Sequence, residues 1–234
     1  MIPTLSHMLA LVSGALAPRE FAGSLPDDPV RTLREWFSDA EASGRYHDPG
    51  AMSLATSSPD GAPSSRMVLC KAIESDPPAL LFFSSYQSRK GRELSANPRA
   101  AAVFHWPHAR RQARVEGTVE RISSPESDAY FAGRPLLARL GAQASAQGAA
   151  LESRAELISR VVAAARVAAR RGRVVRPESW GGYRLHIVRL ELWVGAAGRL
   201  HDRILWTRAS QADDRSASRT TPGTRGWRAQ RLCP

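Results

Sequence analysis

Between Met52 and Trp106 the sequence alternates short runs of strand-forming residues with tight-turn signals, and this pattern restricts the fold more than any other feature. The run Met52–Ser57 leads into PDG at positions 59–61, and the run Arg66–Ile73 leads into SDPP at positions 75–78. Two more runs follow, Leu80–Ser85 and Ala100–Trp106. Short extended segments joined by Gly, Pro and Asp turns are typical of antiparallel strands.

Helix signals flank these strands. Asp27-Asp28 can cap a helix ending near Gly44, Ser88 can cap a helix stopped by Pro98, and Pro125 can begin a third. A fourth, rich in Ala and Arg, is predicted at 152–171, and further strands are predicted at 112–122, 183–193, 200–207 and 227–232. Together these elements predict an α+β fold, with a mainly antiparallel sheet or decorated β-barrel and flanking helices.

One domain accounts for most of the chain. We assign 27–234 to it, with 1–26 as a partly disordered N-terminal extension and 209–226, rich in Ser, Thr and Arg, as a disordered loop. No run approaches the roughly 20 apolar residues of a membrane helix. No Lys or Arg precedes the apolar segment 8–17, so we expect no signal peptide, no membrane partner and a cytoplasmic protein.

The net charge of +11 raises the possibility of a nucleic-acid partner. The charge is spread over the segment 154–176 and the tail 215–231, without an RNA-binding aromatic motif or zinc-finger spacing. We therefore interpret it as a solvated basic surface and expect no nucleic-acid partner. His105 and His108 lack an evident third ligand, and the two cysteines have no metal or redox spacing, so we predict no metal.

Of the 33 basic residues 31 are Arg, and the only lysines, Lys71 and Lys90, fall in two candidate sites. Arg66 and Lys71 lie five apart in one strand, and this odd offset places them on opposite faces. Ser88, Arg89 and Lys90 combine a hydroxyl and two cations at a helix start, a combination suited to phosphate.

A third cluster is predicted on a strand after residue 198. Arg199, His201 and Arg203 alternate, so a regular strand would project all three from one face, where they could bind an anion. The chain has neither a GxGxxG helix start nor a Walker loop. Any phosphate must therefore be bound by side chains.

In this order, these clusters resemble the pyridoxine/pyridoxamine 5'-phosphate oxidase family from about residue 28 to the end of the chain. The resemblance is carried by RMVLCK at 66–71, SRKGREL at 88–94, NP at 97–98, RQ at 111–112, YF at 130–131, RP at 134–135, WGG at 180–182, RLHDR at 199–203 and RLCP at 231–234. It implies a homodimeric split β-barrel with FMN at the subunit interface. The implied activity is oxidation of pyridoxamine or pyridoxine 5'-phosphate by O2 to pyridoxal 5'-phosphate, in vitamin B6 biosynthesis or salvage, giving H2O2 and, from the amine, ammonia.

The resemblance also assigns residues. The implied cofactor residues are Arg66, Met67, Val68, Leu69, Cys70, Lys71, Phe83, Ser84, Arg89, Lys90, Gln112, Gln147, Trp180 and Arg203. Lys71, Tyr130 and Arg134 would bind the substrate phosphate, while Arg199 and His201 would face the substrate ring as catalytic residues.

Departures from the family pattern leave other functions open. Ala138 and Gly148 stand where the family usually has Ser, and Gln143 stands where it has Trp. Because the departures are mainly on the substrate side, an oxidase of the same fold acting on a dihydrophenazine-type metabolite is the alternative. A flavin or pyridoxal phosphate carrier without turnover is a further one.

Overall fold

The computed structural model describes Phe21, residues 25–208 and residues 226–234. The helices are α1 Pro29–Ala42, α2 Arg89–Ala96, α3 Ser124–Ala132, α4 Leu136–Ala144 and α5 Arg154–Arg171. The strands are β1 Ala51–Ser57, β2 Pro63–Ser75, β3 Pro78–Ser85, β4 Arg99–Trp106, β5 Arg111–Arg121, β6 Trp180–Val194, β7 Asp202–Arg208 and β8 Trp227–Arg231. Of the predicted extension and loop, all but Phe21, 25–26 and Gly226 lies outside the described residues.

Six strands close into a barrel. The strand order is β3-β2-β1-β4-β5-β6-β7-β8, and an additional pairing joins β3 to β6. This pairing is antiparallel and runs from Ala79 opposite His186 to Ser85 opposite Trp180. The remainder of β6 pairs with β7, which in turn pairs with β8, both antiparallel. The predicted split β-barrel with flanking helices is thus confirmed.

The described chain forms two compact units. The first comprises the described residues within Met1–Ser53, Ala101–Gly117 and Ile187–Pro234, and the second comprises Leu54–Ala100 and Thr118–His186. Aromatic side chains dominate the core of the first unit: Trp36 lies 6.0 Å from Phe21 and 6.5 Å from Trp106 between ring centroids. Phe21, within the predicted extension, is therefore a core residue of the first unit.

The second unit has an aliphatic and aromatic core that contains Leu54, Leu80, Phe82, Leu94, Tyr183 and Leu185. On β2 the alternate positions from 64 to 70 are half-buried or buried, whereas the residues between them are exposed. Arg66 is accordingly half-buried and Lys71 exposed, and the register of β2 against β3 shifts between Cys70 and Ala72, so the regular alternation does not extend through Lys71. None of the helices in the described ranges is long and apolar enough to cross a membrane.

Side-chain caps begin the predicted helices. The Asp28 carboxylate accepts hydrogen bonds from the backbone of Val30 and Arg31 at the start of α1. Ser88 caps α2, and Ser123 forms a reciprocal capping box with Glu126 at α3. Helix α4 follows Pro135, has no side-chain cap and was not predicted from the sequence.

The prediction that Arg199, His201 and Arg203 share one strand face is wrong. Residues Ala197–Arg199 form a 3-10 turn, and β7 begins only at Asp202. Gly198 has a φ of 62°, a left-handed conformation that glycine adopts without steric cost and that bends the chain here. Of the three basic residues, only Arg203 lies in the strand.

Candidate functional site

A cavity of about 650 Å³ in the second unit collects most of the predicted site residues. This main cavity is large enough for a small-molecule ligand, since such sites usually span about 300–1,000 Å³. Its lining residues are Arg66, Met67, Val68, Leu69, Lys71, Phe83, Ser84, Lys90, Tyr130, Arg134, Pro135, Ala138, Gln147 and Trp180. Strands β2 and β3, helices α2, α3 and α4 and the start of β6 supply most of them.

A buried ammonium group lies at the start of α2. The Nζ atom of Lys90 donates to Ser84 Oγ at 3.0 Å, to Gln147 Oε1 at 3.1 Å and to Ser88 Oγ at 3.2 Å. All three acceptors are neutral. Burial, with a smaller contribution from the charge of Arg66, lowers the pKa of Lys90 from its ordinary value. A cation solvated in this way is a suitable partner for an anion entering the cavity.

Beside it, the buried carboxylate of Glu93 gathers four donors. One oxygen, Oε2, accepts hydrogen bonds from Thr56 Oγ1 at 2.5 Å and from Ser64 Oγ at 2.6 Å. The same oxygen lies 3.3 Å from Arg66 Nη2, and Oε1 accepts from Arg89 Nε at 2.8 Å. Burial raises the pKa of Glu93, but the hydrogen bonds from Ser64, Thr56 and Arg89 outweigh it and lower this pKa to about 2.

Aromatic rings form another wall of the main cavity. Tyr130 stacks on Phe83 with ring centroids 3.6 Å apart, and Phe83 lies 5.5 Å from Trp180. The Arg134 guanidinium lies over the Trp180 ring, 4.6 Å from its centroid. Burial raises the pKa of Tyr130, a shift that the charge of Arg134 partly opposes.

Arg134 also has an unsatisfied donor. Its Nη1 atom is buried, and no hydrogen-bond partner for it occurs among the described residues. A buried guanidinium nitrogen without an acceptor is costly unless a ligand supplies one. Arg134 therefore provides a second cationic position on the wall of the main cavity, separate from the Lys90 cluster.

A smaller cavity of about 220 Å³ adjoins the main one. Both cavities are lined by Arg134, Ala138, Gln147 and Trp180. The smaller cavity is otherwise lined by the small residues Ser85, Gly141, Ala142, Ser145 and Ser179. Ala138, the position where the sequence departs from the family pattern, therefore borders both spaces.

Four predicted site residues belong to the first unit and do not line the main cavity: Gln112, Arg199, His201 and Arg203. Gln112 is half-buried on β5. Arg203 forms an ion pair with the buried Glu191 at 2.8 Å and donates to the Cys233 carbonyl at 3.1 Å.

The His201 ring has a defined orientation. Its Nδ1 atom accepts a hydrogen bond from the Ala196 backbone N–H at 3.1 Å, and its ring lies 4.6 Å from Trp193. Since Nδ1 is the acceptor, the neutral imidazole carries its proton on Nε2.

Two predicted cofactor residues of the second unit stay out of the main cavity. Cys70 is buried, and this burial raises the pKa of its thiol to about 12, against the smaller lowering effect of its hydrogen bond to the Ala72 carbonyl. Arg89 is largely exposed and is tied to Glu93. Over the described residues no group of three potential metal ligands occurs, and His108 instead packs against Tyr46.

Sequence reasoning missed Glu93, Thr56 and Ser64. Glu93 lies within the SRKGREL motif, but a Glu in the middle of a short polar helix ordinarily indicates an exposed face. Thr56 and Ser64 are more than 25 residues from Glu93. No local pattern joins them, and only the motif itself could have pointed to Glu93.

Comparisons with known proteins identify related sequences and folds. A family model described as pyridoxamine 5'-phosphate oxidase matches residues 38–169, and one described as the pyridoxine 5'-phosphate oxidase C-terminal dimerisation region matches 180–234. A pyridoxine/pyridoxamine 5'-phosphate oxidase from Azorhizobium caulinodans is 47% identical over 84% of this chain and 91% of its own length. One from Cupriavidus taiwanensis is 46% identical over 95% of both.

Solved structures agree at the level of the fold. PhzG from Burkholderia lata, in complex with tetrahydrophenazine-1-carboxylic acid, has a TM-score of 0.77 at 27% identity, covering 90% of this chain and 95% of that one. An FMN binding protein from Nostoc punctiforme, related to pyridoxamine 5'-phosphate oxidase, has a TM-score of 0.65 at 19% identity, over 91% of this chain and all of that one. With both family models and these relatives matched, the chain belongs to the pyridoxine/pyridoxamine 5'-phosphate oxidase family.

Proposed function

We propose that this protein is an FMN-dependent pyridoxal 5'-phosphate synthase. It oxidises pyridoxamine or pyridoxine 5'-phosphate with O2, produces H2O2, and works as a cytoplasmic homodimer with FMN at the subunit interface. The observation that carries the proposal is a cavity lined by three cations, Lys71, Lys90 and Arg134, for which no carboxylate contact occurs among the described residues; Lys90 and Arg134 mark two separate positions in it. The cofactor and the substrate each carry one phosphate, and each phosphate needs a cation of this kind.

The residues of the main cavity fit a flavin phosphate. Lys90 has only neutral acceptors, so a phosphate gives this buried ammonium the counter-charge that its present contacts lack. Arg66 adds a guanidinium group on the cavity wall, and Arg89, which does not line the cavity but is bonded to Glu93, adds a second one able to bind phosphate oxygens. The proposed cofactor contacts are those that the resemblance implies, from the β2 run 66–71 and Phe83-Ser84 to Gln112, Gln147, Trp180 and Arg203.

When bound, FMN supplies the two-electron acceptor and the route by which the electrons reach O2. The protein binds the cofactor and the substrate and orients them relative to each other. Lys71, Tyr130 and Arg134 hold the substrate phosphate, and the buried Nη1 of Arg134 gains the acceptor it lacks. Arg199 and His201 face the substrate ring, with the His201 Nε2–H available as a donor because Nδ1 is already engaged. Water then converts the imine product of the amine to the aldehyde and ammonia.

An anaerobic titration tests the proposal. Purified, FMN-loaded protein is titrated with pyridoxamine 5'-phosphate while flavin absorbance is followed, and air is then admitted. We expect bleaching, then recovery of the oxidised spectrum with formation of pyridoxal 5'-phosphate and peroxide. Failure to bind FMN refutes the proposed cofactor. If the bound FMN stays oxidised with both pyridoxamine and pyridoxine 5'-phosphate, the proposed substrate is refuted. If no other metabolite reduces the FMN either, the protein is a flavin carrier and not an oxidase.

One alternative has an observation in its favour. The match to PhzG in complex with a tetrahydrophenazine carboxylic acid extends over nearly the whole chain, and Ala138 provides no hydroxyl in the main cavity. An oxidase of a reduced phenazine-type metabolite would have little use for Lys71 and Arg134 as phosphate-binding residues. Reduction of the bound flavin by a dihydrophenazine carboxylate, but not by either vitamin phosphate, would establish it.

A further inference from the structure

Glu93 is the one carboxylate within a cluster of three cations. It lies on α2 with its side chain only 6% exposed, and its two oxygens contact different arginines. Oε2 faces Arg66, together with the hydroxyls of Thr56 and Ser64, whereas Oε1 accepts from Arg89 Nε. A buried carboxylate that accepts from two guanidinium groups fixes both of them relative to one helix.

The two arginines depend on this contact to different extents. Arg66 is held by further bonds, from Nη1 to Thr56 Oγ1 at 2.5 Å and to the Leu54 carbonyl at 3.3 Å. The Arg89 side chain is 63% exposed, and its only hydrogen bond to the described part of the chain runs from Nε to Glu93. An exposed arginine samples many rotamers, so its anchor at Nε determines where its terminal nitrogens lie.

The charge balance also suits a phosphate. Arg66, Arg89 and Lys90 carry three positive charges and Glu93 one negative charge, which leaves a net charge of +2 in the cluster. A phosphate monoester carries about −1.5 to −2 at pH 7. The cluster can therefore neutralise one phosphate without an uncompensated charge remaining.

We propose that Glu93 is the positioning residue for recognition of the flavin phosphate. By anchoring Arg66 through one oxygen and Arg89 through the other, it fixes the donors that distinguish FMN from unphosphorylated riboflavin. This inference rests on the proposed function, because it takes the phosphate at this cluster to be that of FMN.

A glutamine cannot replace this carboxylate. Its amide has one accepting oxygen and one donating nitrogen, whereas both Glu93 oxygens accept. In Glu93→Gln, the NH2 group would face either the donors around Arg66 or the donor of Arg89. One arginine is then released, although the volume of the side chain is retained.

The test is the ratio of the riboflavin Kd to the FMN Kd, measured by quenching of flavin fluorescence with the apoprotein. We expect Glu93→Gln to lower this ratio on the order of tenfold, which corresponds to about 1.4 kcal/mol and to the loss of one charge-assisted hydrogen bond. The riboflavin Kd itself should change less than about twofold. Glu152→Gln, at an exposed position of the same unit, removes the same charge and should leave the ratio unchanged.

A double-mutant cycle separates positioning from general stability. If Glu93 acts through Arg89, the loss of selectivity in Glu93→Gln becomes smaller in an Arg89→Ala background. An equal loss of selectivity in the wild-type and Arg89→Ala backgrounds, both of which retain Arg66, would contradict this route. Thermal unfolding of each apoprotein shows whether the variant is still folded.

Glu93→Asp provides the test if the glutamine variant does not fold. Aspartate keeps the charge but is one methylene shorter, so it reaches Arg66 or Arg89 but not both, and we expect an intermediate ratio. An unchanged ratio in either folded variant overturns the inference. Wild-type protein that binds FMN no more tightly than riboflavin would instead refute the proposed cofactor, so the two failures are distinguishable.

Discussion

At the residue scale, the ammonium of Lys90 is unusual because it is buried and, within the described ranges, donates hydrogen bonds to neutral oxygens only. Lys90→Met removes a buried charge that the protein alone does not neutralise. We expect the apoprotein to unfold at the same or a higher temperature and FMN to bind at least tenfold more weakly. Thermal unfolding and fluorescence titration measure the two effects. Lower stability with unchanged FMN affinity would make Lys90 a structural residue instead.

Ala138 permits a prediction about the substrate. It lines the main cavity together with Arg134, and the family usually has a Ser there. Ala138→Ser restores one hydroxyl, and a net hydrogen bond of about 1 kcal/mol corresponds to a roughly fivefold lower KM for pyridoxamine 5'-phosphate. Steady-state kinetics measure it, with Ala142→Ser, one turn along α4 and lining only the smaller cavity, as the control. Equal effects in both variants would show that the hydroxyl acts on the helix and not on the substrate.

Glu93 should also affect the acid stability of the apoprotein. Its pKa in the folded protein is about 2, against an ordinary value of 4.5. Between these values the unfolded chain binds more protons, so the contribution of Glu93 is complete above about pH 4.5 and is lost as the pH falls towards 2. Denaturant unfolding from pH 5 to 2.5 should therefore show a smaller loss of stability in Glu93→Gln than in the wild type. Parallel curves would contradict this.

Individual residues were predictable where a motif carries them. Lys90 and Arg66 follow from their residue types and positions, and both line the main cavity. The sequence predicted Arg89 as a cofactor residue but not its ion pair with Glu93, because strands distant in the sequence bury that carboxylate. Burial of one carboxylate depends on tertiary packing, which no local spacing reports.

At the scale of elements, α2 approaches the end of β3 closely at Gly91. A Cβ atom there would overlap the Tyr86 carbonyl and lie 2.7 Å from the Ser85 carbonyl oxygen. Gly91→Ala must therefore displace the helix start that carries Arg89 and Lys90. We expect a loss of roughly 1–3 kcal/mol in unfolding free energy and weaker FMN binding. Ser95→Ala, at an exposed position of the same helix, should affect neither in denaturant unfolding and titration.

Elements were predictable where turns or caps mark their ends. The hairpin of β2 and β3 and the helices capped by Asp28 and Ser88 lie where their signals placed them. Helix α4 was missed because it lacks a capping side chain and exposes Leu136 and Leu137, 56% and 72% accessible, so its apolar pattern does not mark a single buried face.

At the scale of the whole molecule, the β3–β6 pairing joins residues about one hundred positions apart. Alternating patterns predict that strands exist and are antiparallel, but they do not state which distant strands pair. The closure of the barrel was therefore predicted from the family resemblance and not from the turn signals. The association of two subunits was likewise an implication of the resemblance.

Dimerisation is tested directly by mass. The chain has a mass of 25.5 kDa, and we expect light scattering on the FMN-loaded protein to give twice this value with one FMN per chain. The value should persist on dilution to low micromolar concentration, since interfaces that build a cofactor site are usually extensive. A monomer with a full complement of FMN would contradict the proposed interface site.

The two lysines have a consequence for the chemical reactivity of the protein. Lys71 is exposed on the wall of the main cavity, whereas Lys90 is buried and hydrogen-bonded. Every other basic side chain except the histidines is a guanidinium, which reacts poorly with aldehydes. Among side chains, an electrophile that condenses with amines, including an aldehyde formed in the cavity, thus meets one accessible lysine. Among the side-chain amines, adduct formation is therefore directed to the position where it would block the site.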